Sequence, residues 1–233
     1  MKPVIFGLSG TELTADERAF FRDADPLGYI LFKRNCETRA QMLALTDSLR
    51  DLSGRADVPI LIDQEGGRVA RMQPPEWPAF PAGPAFDRLY DLAPSSAIEA
   101  ARANGHALAL MLAEVGVNVN CAPLLDVRQP ETTPAVGERT FGSDPMQVAA
   151  LGRAMLDGMA RGGVVGVVKH MPGHGRGVVD SHYELPVVKA SDADLERDIE
   201  PFRTLANAPM GMTCHVVFEA WDAENPATLS PTV

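Results

Sequence analysis

The sequence has 233 residues, 45% of them hydrophobic and 22% charged, with a formal net charge of -10. That length can bury a full core as one domain, and the composition is ordinary for a globular protein, which excludes a disordered or fibrous chain. The acidity is spread along the chain without a block, which argues against nucleic acid or an anionic membrane surface as partner.

In chain order, short apolar runs alternate with longer helical patterns. A strand is predicted near Val4–Leu8 and a helix near Thr14–Asp23, opened by Thr14 ahead of an acidic turn. A strand near Gly28–Phe32, a helix near Thr38–Ser53 and a strand near Pro59–Asp63 follow, and Pro74 to Pro84 reads as a long loop. Next come a helix near Ser95–Glu114, a strand near Val117–Pro123, a helix near Asp144–Arg161 and a strand near Gly163–Lys169. A helix near Asp192–Asn207, opened by Ser191 before Asp192 and Asp194, and a strand near Met210–Val217 complete the pattern.

Alternation of this kind is the signature of a parallel α/β fold. It leaves two architectures open, a doubly wound sheet or a closed (β/α)8 barrel. A dinucleotide-type sheet wants a Gly-rich turn after its first strand, and Gly7-Leu8-Ser9-Gly10 lacks the G-x-G-x-x-G spacing. The polar clusters instead follow strands three to six, whose ends converge on one face in a barrel. Only six strands are counted, two short of closure. Cys36, Cys121 and Cys214 are odd in number and far apart, which fits neither a disulfide framework nor a zinc motif and favours a reducing compartment. The N-terminal residues lack a charged n-region with a long apolar h-region, and no apolar run approaches the roughly 18 residues of a membrane span. A cytoplasmic protein with no membrane partner is expected.

Four clusters carry candidate chemistry. In Asp63-Gln64-Glu65-Gly66-Gly67-Arg68-Val69-Ala70-Arg71 a buried strand ends in an acid, a Gly pair that lets the chain turn, and two arginines, which suits a ligand rich in hydroxyls. In Gly137-Glu138-Arg139-Thr140-Phe141-Gly142, Arg139 either aims its planar fork at a bound oxygen or, the blander and favoured reading here, pairs on the surface with Glu138. The run from Lys169-His170 through Gly173-His174-Gly175 to Asp180-Ser181-His182 holds three of the five histidines, with one Pro and three Gly that keep it irregular. Asp180 and His182 stand two apart, so a tight turn can join carboxylate to imidazole and leave the other ring nitrogen to move a proton. His215, closing the last strand, reads as a packed core side chain, and His106 as a half-buried helix residue. Asp126 either lines the mouth of the fold or caps the loop that follows it.

Together, Asp63 to Arg71, the Gly-Glu-Arg-Thr-Phe stretch, the Lys169-His170 to His182 run, Met212 to His215, and Asn225-Pro226-Ala227-Thr228-Leu229-Ser230-Pro231 resemble the NagZ-type bacterial β-N-acetylhexosaminidases of glycoside hydrolase family three. The resemblance runs over nearly the whole chain in the family's order. Met171 departs from a position that is commonly aromatic, and Cys214 from one that is commonly alanine. It implies a TIM-like (β/α)8 barrel, with only about six β/α units among residues 1–233. It also implies removal of terminal N-acetylglucosamine, with retention, from anhydro-muropeptide fragments in cell-wall recycling, without a metal or other cofactor. Asp63, Arg71, Arg139, Lys169 and His170 match the family's sugar-binding positions, His182 its general acid/base and Asp180 the carboxylate partnered with it. The resemblance thus gives Asp63 to sugar binding rather than to nucleophilic attack. The family's nucleophile is an aspartate on the next strand, expected beyond Val233, so the catalytic domain is expected to be incomplete at its C-terminal side.

Two rivals carry different chemistry. A metal-dependent hydrolase would gather His170, His174, His182, His215 and Asp63 around a divalent ion, and a non-catalytic homologue would bind the sugar without cleaving it.

Overall fold

The computed structural model describes residues 1–233. Strand β1 (Lys2–Gly7), helix α1 (Ala15–Ala24), β2 (Pro26–Leu31), α2 (Arg39–Ser53) and β3 (Ile60–Ile62) open the chain, followed by a hairpin of β4 (Gln64–Gly66) and β5 (Val69–Ala70). Then come α3 (Gly83–Leu92), α4 (Pro94–Glu114), β6 (Val119–Asn120), the short α5 (Pro134–Gly137), α6 (Pro145–Arg161), β7 (Val165–Met171), β8 (Val187–Val188), α7 (Asp192–Thr204), β9 (Met210–Thr213), β10 (Val217–Phe218) and β11 (Asp222–Pro226). No helix is long and apolar enough to cross a membrane.

Helix starts follow local chemistry. Thr14 and Glu17 form a reciprocal capping box at α1, and Thr38, Asp144 and Ser191 accept backbone N–H groups at the starts of α2, α6 and α7. The main sheet is parallel throughout, in the order β1-β2-β3-β6-β7-β9. That order never reverses, so the switch point of a doubly wound sheet is absent and the strands wind one way into a curled α/β half-barrel.

Side-chain alternation gives the curl two faces. Ile60, Ile62 and Val168 pack outward into the large core under the helices, whereas Leu61, Val119, Cys121 and Val167 form a smaller cluster on the concave face with half-buried Ile5, Ile30, Met210 and Met212. Asp63 and Lys169 lie two residues beyond Leu61 and Val167, so the same alternation carries them to the concave side at the strands' carboxyl ends.

Three sequence expectations need correction. The Pro-rich loop ends early, because α3 starts at Gly83 with Pro84 in its first turn, where a missing N–H costs nothing. The fourth sheet strand is regular only over Val119–Asn120; beyond it the chain runs on irregularly beside β7, the Ala122 and Pro123 carbonyls accepting the Val167 and Lys169 N–H groups. The last predicted strand is two: β9 ends at Thr213, and Val217–Phe218 joins a separate sheet, β11-β10-β8, over its own core of Val188, Leu195, Cys214, Val216, Phe218 and Ala227.

Candidate active site

Asp63, Arg71, Arg139, Lys169, His170, Asp180 and His182 all line one cleft of about 540 Å³ on the concave side of the sheet. Arg139 comes from the turn after α5, and three other segments bring the rest. The first is the β4–β5 hairpin, whose turn uses Gly66 at φ 103° and Gly67 at φ 60°, a region open to glycine. Buried Gln64 holds the returning chain, its amide oxygen accepting the N–H groups of Arg71 and Met72 and its amide nitrogen donating to the Met72 carbonyl. Arg71 thus swings back to donate to Asp63 Oδ2 at 3.0 Å.

The second segment is the end of β7. Lys169, with its side chain 2% exposed, donates its Nζ to Asp63 Oδ1 at 3.0 Å and lies 2.7 Å from Glu65 Oε1. Glu65 also accepts from Arg139 Nε at 2.9 Å and from its terminal nitrogen at 2.7 Å. The blander reading of Arg139 is therefore wrong: its partner is buried Glu65 across the cleft floor, and Glu138 faces Arg68 at 3.4 Å instead. Burial pushes the Asp63 and Glu65 carboxyls up, but Lys169 with Arg71 and Arg139 outweighs it and holds both below the usual carboxylate range. Burial likewise pulls the Lys169 ammonium down, and Glu65 and Asp63 more than restore it. Both oxygens of Asp63 are gripped by cations, which suits orienting a sugar better than attacking one.

The third segment is the irregular stretch between β7 and β8, anchored at both ends. At its start Gly175 passes so close to Val127 that a Cβ there would lie 1.9 Å from the Val127 carbonyl oxygen. Arg176 donates its Nε to Asp198 on α7 at 2.6 Å, and the Thr133 N–H donates to the Gly177 carbonyl. At its end β8 pairs with β10. Between these anchors His182 stands 82% exposed, its Nδ1 2.6 Å from Asp180 Oδ1. The His182 backbone N–H, then its imidazole, hold the Asp180 carboxyl below its ordinary value. An ionised carboxylate only accepts, so Nδ1 carries the proton and Nε2 is left to give or take one.

Sequence reasoning missed Glu65, although Leu61, Asp63 and Glu65 share one period-two face. It also missed the true setting of Asp126, which has no exposed surface, stays out of the cleft wall and accepts from the β7 loop rather than capping its own. His215 is exposed and lines the cleft instead of packing in the core, because the chain has already left β9 at Thr213. His106 is half-buried in α4 as expected. No group of three or more His, Cys, Asp or Glu side chains lies close enough to hold a metal ion, so the ligand set of the metal-dependent rival does not assemble. Burial pushes the three thiols up to about 12, which leaves them unreactive at neutral pH.

A one-way parallel sheet thus carries a cation-gripped carboxylate and a His–Asp pair at the carboxyl ends of its strands, the face on which curled α/β enzymes place their sites. The chain belongs to glycosyl hydrolase family 3: residues 10–233 match the model of its N-terminal domain. It is 36% identical over 225 residues to a β-hexosaminidase of Bordetella avium, covering 95% of this chain and 64% of that protein. It is 38% identical over 231 residues to one of Alkalilimnicola ehrlichii, covering 98% and 65%. A crystal structure of NagZ from Neisseria gonorrhoeae in complex with N-trifluoroacetyl-D-glucosamine superposes with a TM-score of 0.89 at 33% identity, over 96% of this chain and 66% of that one. The chain thus spans just under two thirds of the length of the curated relatives it matches.

Proposed function

We propose that this chain carries the sugar site and acid/base of a retaining β-N-acetylglucosaminidase that releases terminal N-acetylglucosamine from peptidoglycan-derived anhydro-muropeptides in the cytoplasm. The observation that carries the reading is the convergence, in one cleft, of a carboxylate held between Lys169 and Arg71 with an exposed imidazole backed by Asp180. The first group presents charged acceptors and donors to sugar hydroxyls; the second handles the proton. The relatives named β-hexosaminidase, and the resemblance in the Lys169 to His182 run, narrow the sugar and its source.

In this reading His182 Nε2 gives its proton to the glycosidic oxygen while an aspartate attacks the anomeric carbon from the opposite face. In the second step His182 takes a proton from the water that displaces the enzyme carboxylate. The cleft-lining carboxylates are Asp63 and Asp180, one gripped by two cations and the other bound to His182. The family resemblance assigns the nucleophile to an aspartate outside residues 1–233, on a further strand of a (β/α)8 barrel, six of whose strands lie in this chain. Half-buried Ile5, Ile30, Met210 and Met212 on the concave face give such strands an apolar surface to cover.

Residues 1–233 expressed alone should leave an aryl N-acetyl-β-glucosaminide intact, while the full-length protein hydrolyses it in a parallel assay. Robust hydrolysis by the short chain would overturn the assignment and turn attention to Asp63 or Asp126 as nucleophile. Sugar binding without hydrolysis by the full-length protein would favour the non-catalytic homologue.

A further inference from the structure

Asp126 is a buried acid that the chemistry above does not use. It follows β6 by way of Pro123-Leu124-Leu125, has no exposed surface, and has no lysine or arginine paired with it. The end of β7 and the turn just after it fill both of its oxygens. Oδ1 accepts the His174 N–H at 2.6 Å and the His170 N–H at 3.3 Å, while Oδ2 faces His170 Nδ1 at 2.8 Å. The His174 ring packs edge-on against the His170 ring, with centroids 6.0 Å apart and planes at 71°. His170 is thus fixed by its main chain, its ring edge and its ring face at once.

The protonation of this pair follows from its partners. Burial pushes the Asp126 carboxyl up, but His170, through charge and hydrogen bond, and then His174 outweigh it and bring it to about 2. An ionised carboxylate can only accept, so the ring nitrogen facing it carries a proton. In the neutral imidazole Nε2 is then bare, and it is the ring nitrogen left for the cleft that His170 lines. A bare nitrogen accepts from a sugar hydroxyl; the opposite tautomer would present a donor there.

We propose that Asp126 is a positioning residue that locks His170 in the Nδ1–H tautomer and so presents an acceptor to the substrate. The proposal rests on the reading of the cleft as a sugar site, but the tautomer itself can be read without any activity. Asparagine makes the sharpest variant. Two backbone N–H groups converge on Oδ1 and demand an acceptor, so the amide oxygen of Asp126→Asn must sit there and its NH2 must face His170 Nδ1. That nitrogen would have to accept, and the proton would move to Nε2.

The test uses full-length protein labelled with 15N-histidine, with the His170 signals assigned through a His170→Gln variant. Long-range 1H–15N spectra of the unmutated protein should show a protonated Nδ1 and a bare Nε2 at position 170. Asp126→Asn should exchange the two while the signals of the remaining histidines stay in place, and calorimetry should find N-acetylglucosamine bound about tenfold or more weakly. An unmutated protein with Nε2–H at His170 overturns the proposal, and it does so even if Asp126→Asn fails to fold. Retention of the original tautomer in Asp126→Asn overturns it as well, because any loss of affinity would then be structural. An exchanged tautomer with unchanged affinity removes the link to substrate. If the unmutated protein shows Nδ1–H but binds no N-acetylglucosamine, the sugar reading fails while the Asp126–His170 assignment stands.

Discussion

Replacing His182 by alanine in the full-length protein should lower turnover of a natural-type β-N-acetylglucosaminide at least about a hundredfold, within the range of roughly 10²–10⁴ that positioned acid/base groups contribute. The side chain is 82% exposed and meets only Asp180, so its loss opens no cavity and should leave thermal stability nearly unchanged. The defect should shrink for an aryl leaving group of low pKa, which departs without being protonated, when the glycosylation step is measured. Substituting asparagine for Asp180 should give a smaller defect, because the His182 ring keeps its place but loses the carboxylate acceptor that fixes its Nδ1–H. A rate plot against leaving-group pKa separates these cases. A His182→Ala enzyme that turns over an unactivated substrate at the original rate would remove His182 from the mechanism.

Lys169→Met should do the opposite, damaging fold and binding together. Its ammonium lies between Asp63 and Glu65 with almost no solvent access. Removing it leaves two buried carboxylates with one arginine each, Arg71 and Arg139. Breaking a buried pair by deleting one partner costs about 3–5 kcal/mol, which for a chain of this size lowers the melting temperature by about 10 °C. The pH dependence has a definite sign. Asp63 and Glu65 titrate below their ordinary values in the fold, so their contribution is full above about pH 4 and is lost as pH falls through the folded values. Lys169 is raised, so its contribution holds below about pH 10.4 and is lost only as pH climbs through its higher folded value. In the variant, protonation relieves the two stranded carboxyls, so its deficit against the unmutated protein should narrow below about pH 4. Melting curves across that range check this, and a deficit that stays constant would mean that lost packing, not charge, explains it. N-acetylglucosamine affinity should fall with Lys169→Met and with Asp63→Asn; affinity indifferent to both would remove the Asp63–Lys169 pair from the sugar site.

How much of this is legible in the sequence depends on how local each feature is. The helix starts at Thr14, Thr38 and Ser191 are written within four residues, and five of the predicted helices stand where expected to within a few positions. Asp180 and His182 meet for the same reason, being two residues apart. The grip on Asp63 is different in kind, because Lys169 lies 106 residues away and the contact exists only once β3 and β7 share the concave face. Likewise Asp126 and His170 are 44 residues apart, joined across neighbouring strands that each look like simple apolar runs. The misreading of Arg139 shows the limit: an adjacent Glu138 is the visible partner, and the real one, Glu65, is visible only in three dimensions. The small β11-β10-β8 sheet escapes for a related reason, since two-residue strands such as Val187–Val188 have no periodicity to read.

The most direct test of the account is the stereochemistry of the first product. Full-length protein mixed with an aryl N-acetyl-β-glucosaminide, followed by 1H NMR at the anomeric signals, should release β-N-acetylglucosamine first, with the α form growing in only by mutarotation. That outcome requires two displacements and hence a carboxylate opposite His182. Initial release of the α form, or no hydrolysis at all, would contradict the account.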